Sequence, residues 1–304
     1  VAVPLMVKEP SYGGVSIDIE VSRLIVRRET PFQEVIIADT PGYGRALFLD
    51  GHVQSAAADE ALYHELLVHP PLVIHGAPRR VLIGGTGEGA TLREVLRHRQ
   101  VERAVAVDVD AEVVALCREH LPGWSAGAFD DPRVESRTGD FLDTLAASPA
   151  GSWDVVLADL TDPVDEGPSV HLWGVPFFEA VRRVLADDGV LAVQSGEADP
   201  VDLAALRTVR STLLEVFPHV EVYLTFVPSF HCLWAFTLAS RRPLTIAAAE
   251  LEARVAGLAG LRAYSAIAHR AAFAIPPFLA DMLKEPGEVI RGAGDMAALA
   301  LPSS

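Results

Sequence analysis

The chain has 304 residues, half of them hydrophobic and 22% charged, which excludes a disordered chain and suits one large domain or two unequal ones. Acidic residues number 41 against 25 basic ones, and the formal net charge of −16 argues against nucleic-acid and anionic-membrane partners while favouring a cationic small-molecule amine. Two cysteines, Cys117 and Cys232, are too few for a disulfide scaffold, no run nears the ~18 apolar residues of a membrane helix, and no signal peptide develops before Lys8 and Glu9, so a cytoplasmic location is expected.

Residues 1–58 read as a small N-terminal β domain, and residues 59–304 as a catalytic domain with a C-terminal helical tail. Ser16 to Val26, Val35 to Ala38 and Ala46 to Leu49 carry the β-branched and alternating patterns of strands, broken by turn residues at Thr30-Pro31 and Pro41-Gly42-Tyr43-Gly44. The period then changes. Glu60 to Val68 reads as a helix. From Arg79 onward, strands over Val81–Ile83, Ala104–Val107, Val134–Arg137, Val155–Ala158, Val190–Val193, Val220–Phe226 and Ala235–Ala239 alternate with helices. The helices are expected over Thr91–His98, Ala111–His120, Phe177–Leu185 and Leu203–Phe217, with helical tail segments at Ala247–Leu258 and Pro276–Leu283. Apolar strands alternating with helices predict an α/β fold, a parallel doubly wound sheet covered on both faces.

Gly84-Gly85-Thr86-Gly87-Glu88-Gly89-Ala90 follows the first of those strands and opens a helix. Glycines there allow a tight turn and close approach of a ligand, so Gly85 and Gly87 are expected at a nucleotide. Asp108, 23 residues after Gly85, ends the next strand, where a carboxylate can accept from both ribose hydroxyls. Glu88 separates the donor classes. A carboxylate in that loop repels a pyrophosphate but suits a sulfonium nucleoside carrying an amine. Asp140 follows the third strand and can accept from an adenine amino group, or cap the helix that begins at Phe141.

Asp159-Leu160-Thr161-Asp162-Pro163 stands at the carboxyl end of the Val155–Ala158 strand, opposite the glycine loop, where open α/β sheets bind ligands. Here the chain resembles the polyamine aminopropyltransferases, the spermidine and thermospermine synthase family. The resemblance is carried by Leu49 to Gln54, Asp59-Glu60 with Tyr63-His64-Glu65, Val68-His69-Pro70, the glycine loop through Leu96, and Val107 to Asp110. It continues through Phe129 to Arg133, Gly139-Asp140, Asp159 to Pro163, Gln194-Ser195-Gly196 and His269 to Phe273, covering roughly residues 30 to 283 in order. Asp159 to Pro163 and Val227-Pro228-Ser229-Phe230 lean toward the thermospermine-synthase-like branch.

The resemblance implies a small β domain on a Rossmann-like, methyltransferase-type catalytic domain, assembled as homodimers or homotetramers. It implies transfer of an aminopropyl group from decarboxylated S-adenosylmethionine to spermidine, agmatine or putrescine, releasing methylthioadenosine, with no metal and no further cofactor. It places Asp108 on the ribose, Asp140 on the adenine, Glu88 on the donor's ammonium and Gln33 along the donor site. It gives Asp159 the acceptor amine, with Tyr63 beside it as the second catalytic residue. Gln54, His64 and Asp162 complete the acceptor pocket, His64 counting on the donor side as well. Apart from the resemblance, Phe230 is placed on the acceptor side, and Trp234, which alternates with Phe236 within a strand, reads as packing or as a border of the acceptor channel.

Several positions depart from the family pattern. Ser55-Ala56-Ala57-Ala58 replaces a Thr-Glu-Arg-Asp-Glu run, Thr86 replaces a glycine, and Leu172-Trp173-Gly174 replaces Leu-Tyr-Thr. Phe230, followed by His231-Cys232-Leu233, stands where spermidine synthases carry a tyrosine. All but Thr86 are expected on the acceptor side, where Trp173, Leu233 and Ala56 to Ala58 would give a more apolar wall. Two other readings stay open on the residues: an S-adenosylmethionine N-methyltransferase of a small amine, which Glu88 argues against, and a non-catalytic binding relative, which the Asp159/Asp162 pair argues against. Cys117 is expected in the core.

Overall fold

A computed structural model of the chain describes residues 5–10, 16–161, 170–201, 203–292 and 295. The N-terminal part forms two antiparallel sheets. β1 (Leu5–Pro10) pairs with β2 (Ser16–Val21), and β3 (Arg23–Glu29), β4 (Glu34–Thr40), β5 (Gly44–Leu49) and β6 (His52–Ala56) form a meander. The single segment expected over Ser16–Val26 is therefore two strands in two sheets. The break falls at Ser22, whose backbone N–H and hydroxyl both donate to the Asp39 carbonyl.

A long helix, α1 (Glu60–His75), follows. It outruns its expected end at Val68 by passing through Pro70 and Pro71, which cannot donate to the helix ladder. Burial compensates: Leu66, Leu67, Val68, Leu72 and Val73 all lie in the core. Next come β7 (Arg80–Gly84), α2 (Ala90–Leu96), β8 (Arg103–Asp108), α3 (Ala111–His120), α4 (Pro122–Ser125), β9 (Val134–Thr138), α5 (Phe141–Ala147) and β10 (Trp153–Ala158). The chain continues through α6 (Val175–Val184), β11 (Leu185–Glu197), α7 (Ala204–Val216), β12 (His219–Val227), β13 (Cys232–Ser240), α8 (Ala248–Ala256), α9 (Ala266–Phe273) and α10 (Pro277–Met282).

The large sheet has seven strands in the order β12-β13-β11-β10-β7-β8-β9. Expected as parallel, it is mixed. β13 runs antiparallel to both β11 and β12, because a short turn at Pro228–His231 joins β12 to β13 with no room for a crossover helix. Both faces are covered, and the period of two decides which residue goes where. Val81 and Ile83 of β7, with Val155 and Leu157 of β10, pack under α1 and α2. Leu82, Val156 and Ala158 face Phe177, Phe178 and Val181 of α6.

The chain leaves β7 toward β8 and β9, then returns across β7 to β10. That reversal opens a crevice at the carboxyl ends of β7 and β10, the place where such sheets bind ligands. The Asp159 N–H donates to the Gly84 carbonyl at 2.8 Å, so the glycine loop and the Asp159 segment begin side by side.

Candidate active site

The glycine loop is shaped by its neighbour across the crevice. Gly85 has φ +83°, and a Cβ there would lie 1.9 Å from the Asp159 carbonyl oxygen. Its glycine is thus required by the passing backbone, a reason distinct from the close approach of a nucleotide. Gly87, with φ +46°, offers its N–H to Asp108. Asp108 Oδ2 accepts from Thr86 and Gly87 at 2.9 Å each, and Oδ1 accepts from Asp110 at 2.9 Å. Burial nevertheless raises its pKa, against the opposing pull of those three N–H groups.

Asp110 caps α3 through Oδ1 and, through Oδ2, accepts from Thr30 Oγ1 at 2.6 Å and Gln33 Nε2 at 3.2 Å. The β3–β4 turn thereby brings Gln33 to the edge of the Asp108 site. Asp140 caps α5, accepting from the Leu142 N–H at 2.7 Å, and its second oxygen lies 3.1 Å from His171 Nε2.

At the centre is a buried charge row. His64 Nδ1 is 2.8 Å from the Glu60 carbonyl and 3.3 Å from Glu60 Oε2, while Nε2 is 3.1 Å from Glu88 Oε1. Both ring nitrogens face acceptors only, which requires a proton on each. Burial opposes the charge, but Glu60 and Glu88 outweigh it and push the imidazole up to about 10. Glu60 is held down at about 2 against burial, by His64 and by Arg93, whose guanidinium is 2.7 Å away. Arg262 reaches the other Glu60 oxygen at 3.0 Å. Burial would raise the Glu88 pKa, but His64 above all lowers it.

Asp159 sits beside this row. Tyr63 Oη donates to Oδ1 at 2.7 Å and Thr91 Oγ1 donates to Oδ2 at 2.5 Å. Burial raises the Asp159 pKa, opposed by the nearby His64 charge and the two hydroxyls. Over Tyr63 lie Phe230, ring centroids 5.7 Å apart, and Trp234, 6.3 Å apart; Phe230 and Trp234 are 4.9 Å from one another. The turn carrying Phe230 is fixed from both sides. Asp59 accepts from the Ser229 N–H and hydroxyl, and Tyr43 Oη donates to the Pro228 carbonyl.

The matching families agree with this geometry. Residues 60–248 match the family described as "Spermine/spermidine synthase domain", and residues 7–56 match "Spermidine synthase tetramerisation domain". A polyamine aminopropyltransferase of Synechococcus sp. (strain JA-2-3B'a(2-13)) is 47% identical over 74% of this chain and 73% of its own length. The chain belongs to the spermine/spermidine synthase family. A second relative in the family, the polyamine aminopropyltransferase of Moorella thermoacetica, is 37% identical over 90% of this chain and 94% of its own. A crystal structure of spermidine synthase in complex with the transition-state analogue AdoDATO superposes with TM-score 0.85 at 30% identity, covering 93% of this chain and 97% of the other. As a member of that family the chain is an enzyme of the aminopropyltransferase class, and the methyltransferase and non-catalytic readings find no support among these relatives.

Of the residues expected at the site, the structure brings Tyr63, His64, Gly85, Glu88, Asp159, Phe230 and Trp234 together. Gly87, Asp108 and Gln33 form a second group one loop away, and Asp140 stands apart with His171. Gln54 is half-buried on β6, its amide donating to the His52 carbonyl at 3.3 Å. Asp162 lies outside the described residues.

Three expectations for the acceptor wall are corrected. Trp173 is 2% exposed and packs with Phe177 and Ile290 on the opposite face of the sheet. Leu233 alternates with Trp234 along β13 and so faces away, toward Leu203 and Leu279. Ala56 is buried in the N-terminal core. Ser55, expected with them on the acceptor side, is buried on β6 and accepts from Trp124 Nε1 at 2.7 Å. Cys117 is buried as expected.

Thr91, Glu60 and Arg93 went unremarked in the sequence as site residues. Thr91 and Arg93 follow the glycine loop directly, but only the crevice shows what they touch. Among the described residues, no cluster of three or more His, Cys, Asp and Glu is placed to hold a metal ion, and no helix is long and apolar enough to cross a membrane.

Proposed function

We propose that this enzyme moves the aminopropyl group of decarboxylated S-adenosylmethionine onto a polyamine acceptor at Asp159, releasing methylthioadenosine. One observation carries the reading. Glu88 from the donor loop and Asp159 from the opposite side of the crevice flank the same buried imidazole, His64, giving two anionic positions for two cationic substrates. In this reading Glu88 holds the donor's ammonium, Asp108 and Asp140 the ribose and adenine, Gly85 and Gly87 the loop beneath them, and Gln33 the outer edge.

Asp159 and Tyr63 receive the acceptor's reacting nitrogen. Its lone pair attacks the methylene bonded to sulfur, the C–S bond breaks, and a neutral thioether leaves with that electron pair. The proton lost from nitrogen passes to Asp159 as the C–N bond forms. A free alkyl ammonium has a pKa near about 10.4, by analogy with lysine, so holding the amine beside a proton acceptor is the chain's main task, with alignment supplying much of the rate. Tyr63, Phe230 and Trp234 form an aromatic wall that favours an extended amine, spermidine or agmatine, over putrescine. Gln54 and Asp162 are the remaining polar groups of that pocket.

Leu24 and Phe32 expose apolar side chains in the segment matched by the tetramerisation family, and Leu5 and Met6 do so just before it, which supports a homodimer or homotetramer built through the N-terminal sheets. The test of the chemistry is direct. Incubation with intact or decarboxylated S-adenosylmethionine and each amine, followed by mass spectrometry of the nucleoside, should give methylthioadenosine from the decarboxylated donor alone. S-adenosylhomocysteine as the product would overturn the reading.

A further inference from the structure

We propose that Thr91 is a positioning residue for the transfer reaction: together with Tyr63 it holds Asp159 as an oriented carboxylate, one hydroxyl on each oxygen. This rests on the reading of Asp159 as the group that receives the acceptor amine. The contacts are short and divided, with Thr91 Oγ1 2.5 Å from Oδ2 and Tyr63 Oη 2.7 Å from Oδ1. An ionised carboxylate only accepts, so each hydroxyl spends its single proton on Asp159. With a donor on both oxygens, the carboxylate cannot turn about its own bond without losing one of them. The direction of its remaining lone pairs is thereby fixed for the incoming nitrogen.

The charges around Asp159 show why a neutral hydroxyl matters there. From α1 it faces Tyr63 and the His64 imidazolium, from the glycine loop Glu88, and from α2 Thr91. His64, Tyr63 and Thr91 favour the ionised form, whereas burial and Glu88 oppose it. Glu88 cannot be dispensed with if it holds the donor, so the balance is kept by the hydroxyls and the imidazolium. Thr91 is 2% exposed, and in a valine variant a methyl fills the place of its hydroxyl, so the hydrogen bond is lost without a water in its stead. It also sits in the first turn of α2, the helix that the glycine loop opens, so one segment receives the donor and aims the acceptor-side carboxylate.

Thr91→Val keeps the shape and deletes the donor. For the acceptor, kcat/KM at pH 7 should fall about tenfold, the loss expected for one hydrogen bond to a charged group. The acid limb of the kcat/KM profile should move to higher pH, since Asp159 then protonates more readily. Thr91→Ser should bring that limb back, and calorimetric donor binding to the Val variant should stay within about twofold of wild type. The Tyr63→Phe/Thr91→Val pair should be non-additive, because both act on one carboxylate. Should the Val variant fail to fold, Thr91→Ala against Thr91→Ser gives the same comparison.

An unmoved acid limb in the Val or Ala variant would overturn the proposal, as would a pH-independent loss that Ser does not restore. Asp159→Asn separates the two levels. If it loses on the order of 10²-fold in kcat while Thr91→Val loses nothing, positioning fails and the base stands. If it keeps a third of the wild-type rate, the reading of Asp159 itself fails.

Discussion

Glu88→Gln removes one charge from the glycine loop with almost no change of shape. Glu88 is 8% exposed and accepts from His64 Nε2 at 3.1 Å. The amide oxygen can still accept from His64, and Glu60 still faces the other ring nitrogen, so the local geometry should survive. What disappears is the anion opposite the donor's ammonium. A hydrogen bond to a charged group contributes about 1.5–3 kcal/mol, which is about 10- to 100-fold in affinity. Calorimetry on three ligands at constant ionic strength isolates this interaction. Decarboxylated S-adenosylmethionine should bind the variant weaker by about that factor, whereas methylthioadenosine, which has no ammonium, should change by less than about twofold. Wild type should prefer the decarboxylated donor over the intact one at least about tenfold, and the variant should lose most of that preference. Equal weakening of donor and methylthioadenosine would refute the reasoning, because it would mean a deformed loop. Undiminished discrimination would refute it too, by placing the ammonium elsewhere.

The site makes four further commitments. Gly85→Ala drives a methyl into the Asp159 carbonyl at a positive φ and should cost more than about 3 kcal/mol in denaturant unfolding; a near-neutral result would mean the Asp159 segment moves freely. His64 is raised from 6.5 to about 10, so its contribution to stability is fully present below pH 6.5 and lost as pH rises through about 10. Wild type should therefore lose Tm more steeply than His64→Gln between pH 7 and 10, and parallel curves would show that the ring is neutral. Glu60, depressed to about 2, acts with the opposite sign: its contribution is present above pH 4.5 and lost on acidification toward pH 2, which Glu60→Gln should flatten. Against the wall of Tyr63, Phe230 and Trp234, each extra buried methylene contributes roughly 0.8 kcal/mol, so kcat/KM for spermidine should exceed that for putrescine; putrescine ahead by about tenfold would show that the rings do not set acceptor length.

Local pattern carried the sequence reading a long way. The unbroken apolar run Val81-Leu82-Ile83, followed by a glycine run and a helix, is a one-dimensional signal that survives folding intact. The same holds for Asp108 and Asp159, because a residue at the carboxyl end of a buried parallel strand has one place to go in an open α/β sheet. Asp140 was legible for a similarly local reason, as an acid directly before a helix, whereas the matching cap by Asp110 came from the structure.

Tertiary structure decided whatever depends on partners far apart in the chain. Pro70 and Pro71 argue against a helix locally, yet α1 runs through them because its core contacts outweigh two missing donors. Trp173 and Leu233 were placed at the acceptor as departures from the family pattern, but the packing of α6 and the alternation of β13 turn both away. The protonation of His64 follows from Glu60 one turn earlier on its own helix and Glu88 on a separate loop, two carboxylates whose convergence no local pattern reveals. The pairing of Thr91 with Asp159, 68 residues apart, exists only because β7 and β10 are neighbours in the sheet. Sequence sets which side chains stand at the ends of strands; the order of the strands sets which of them share a proton.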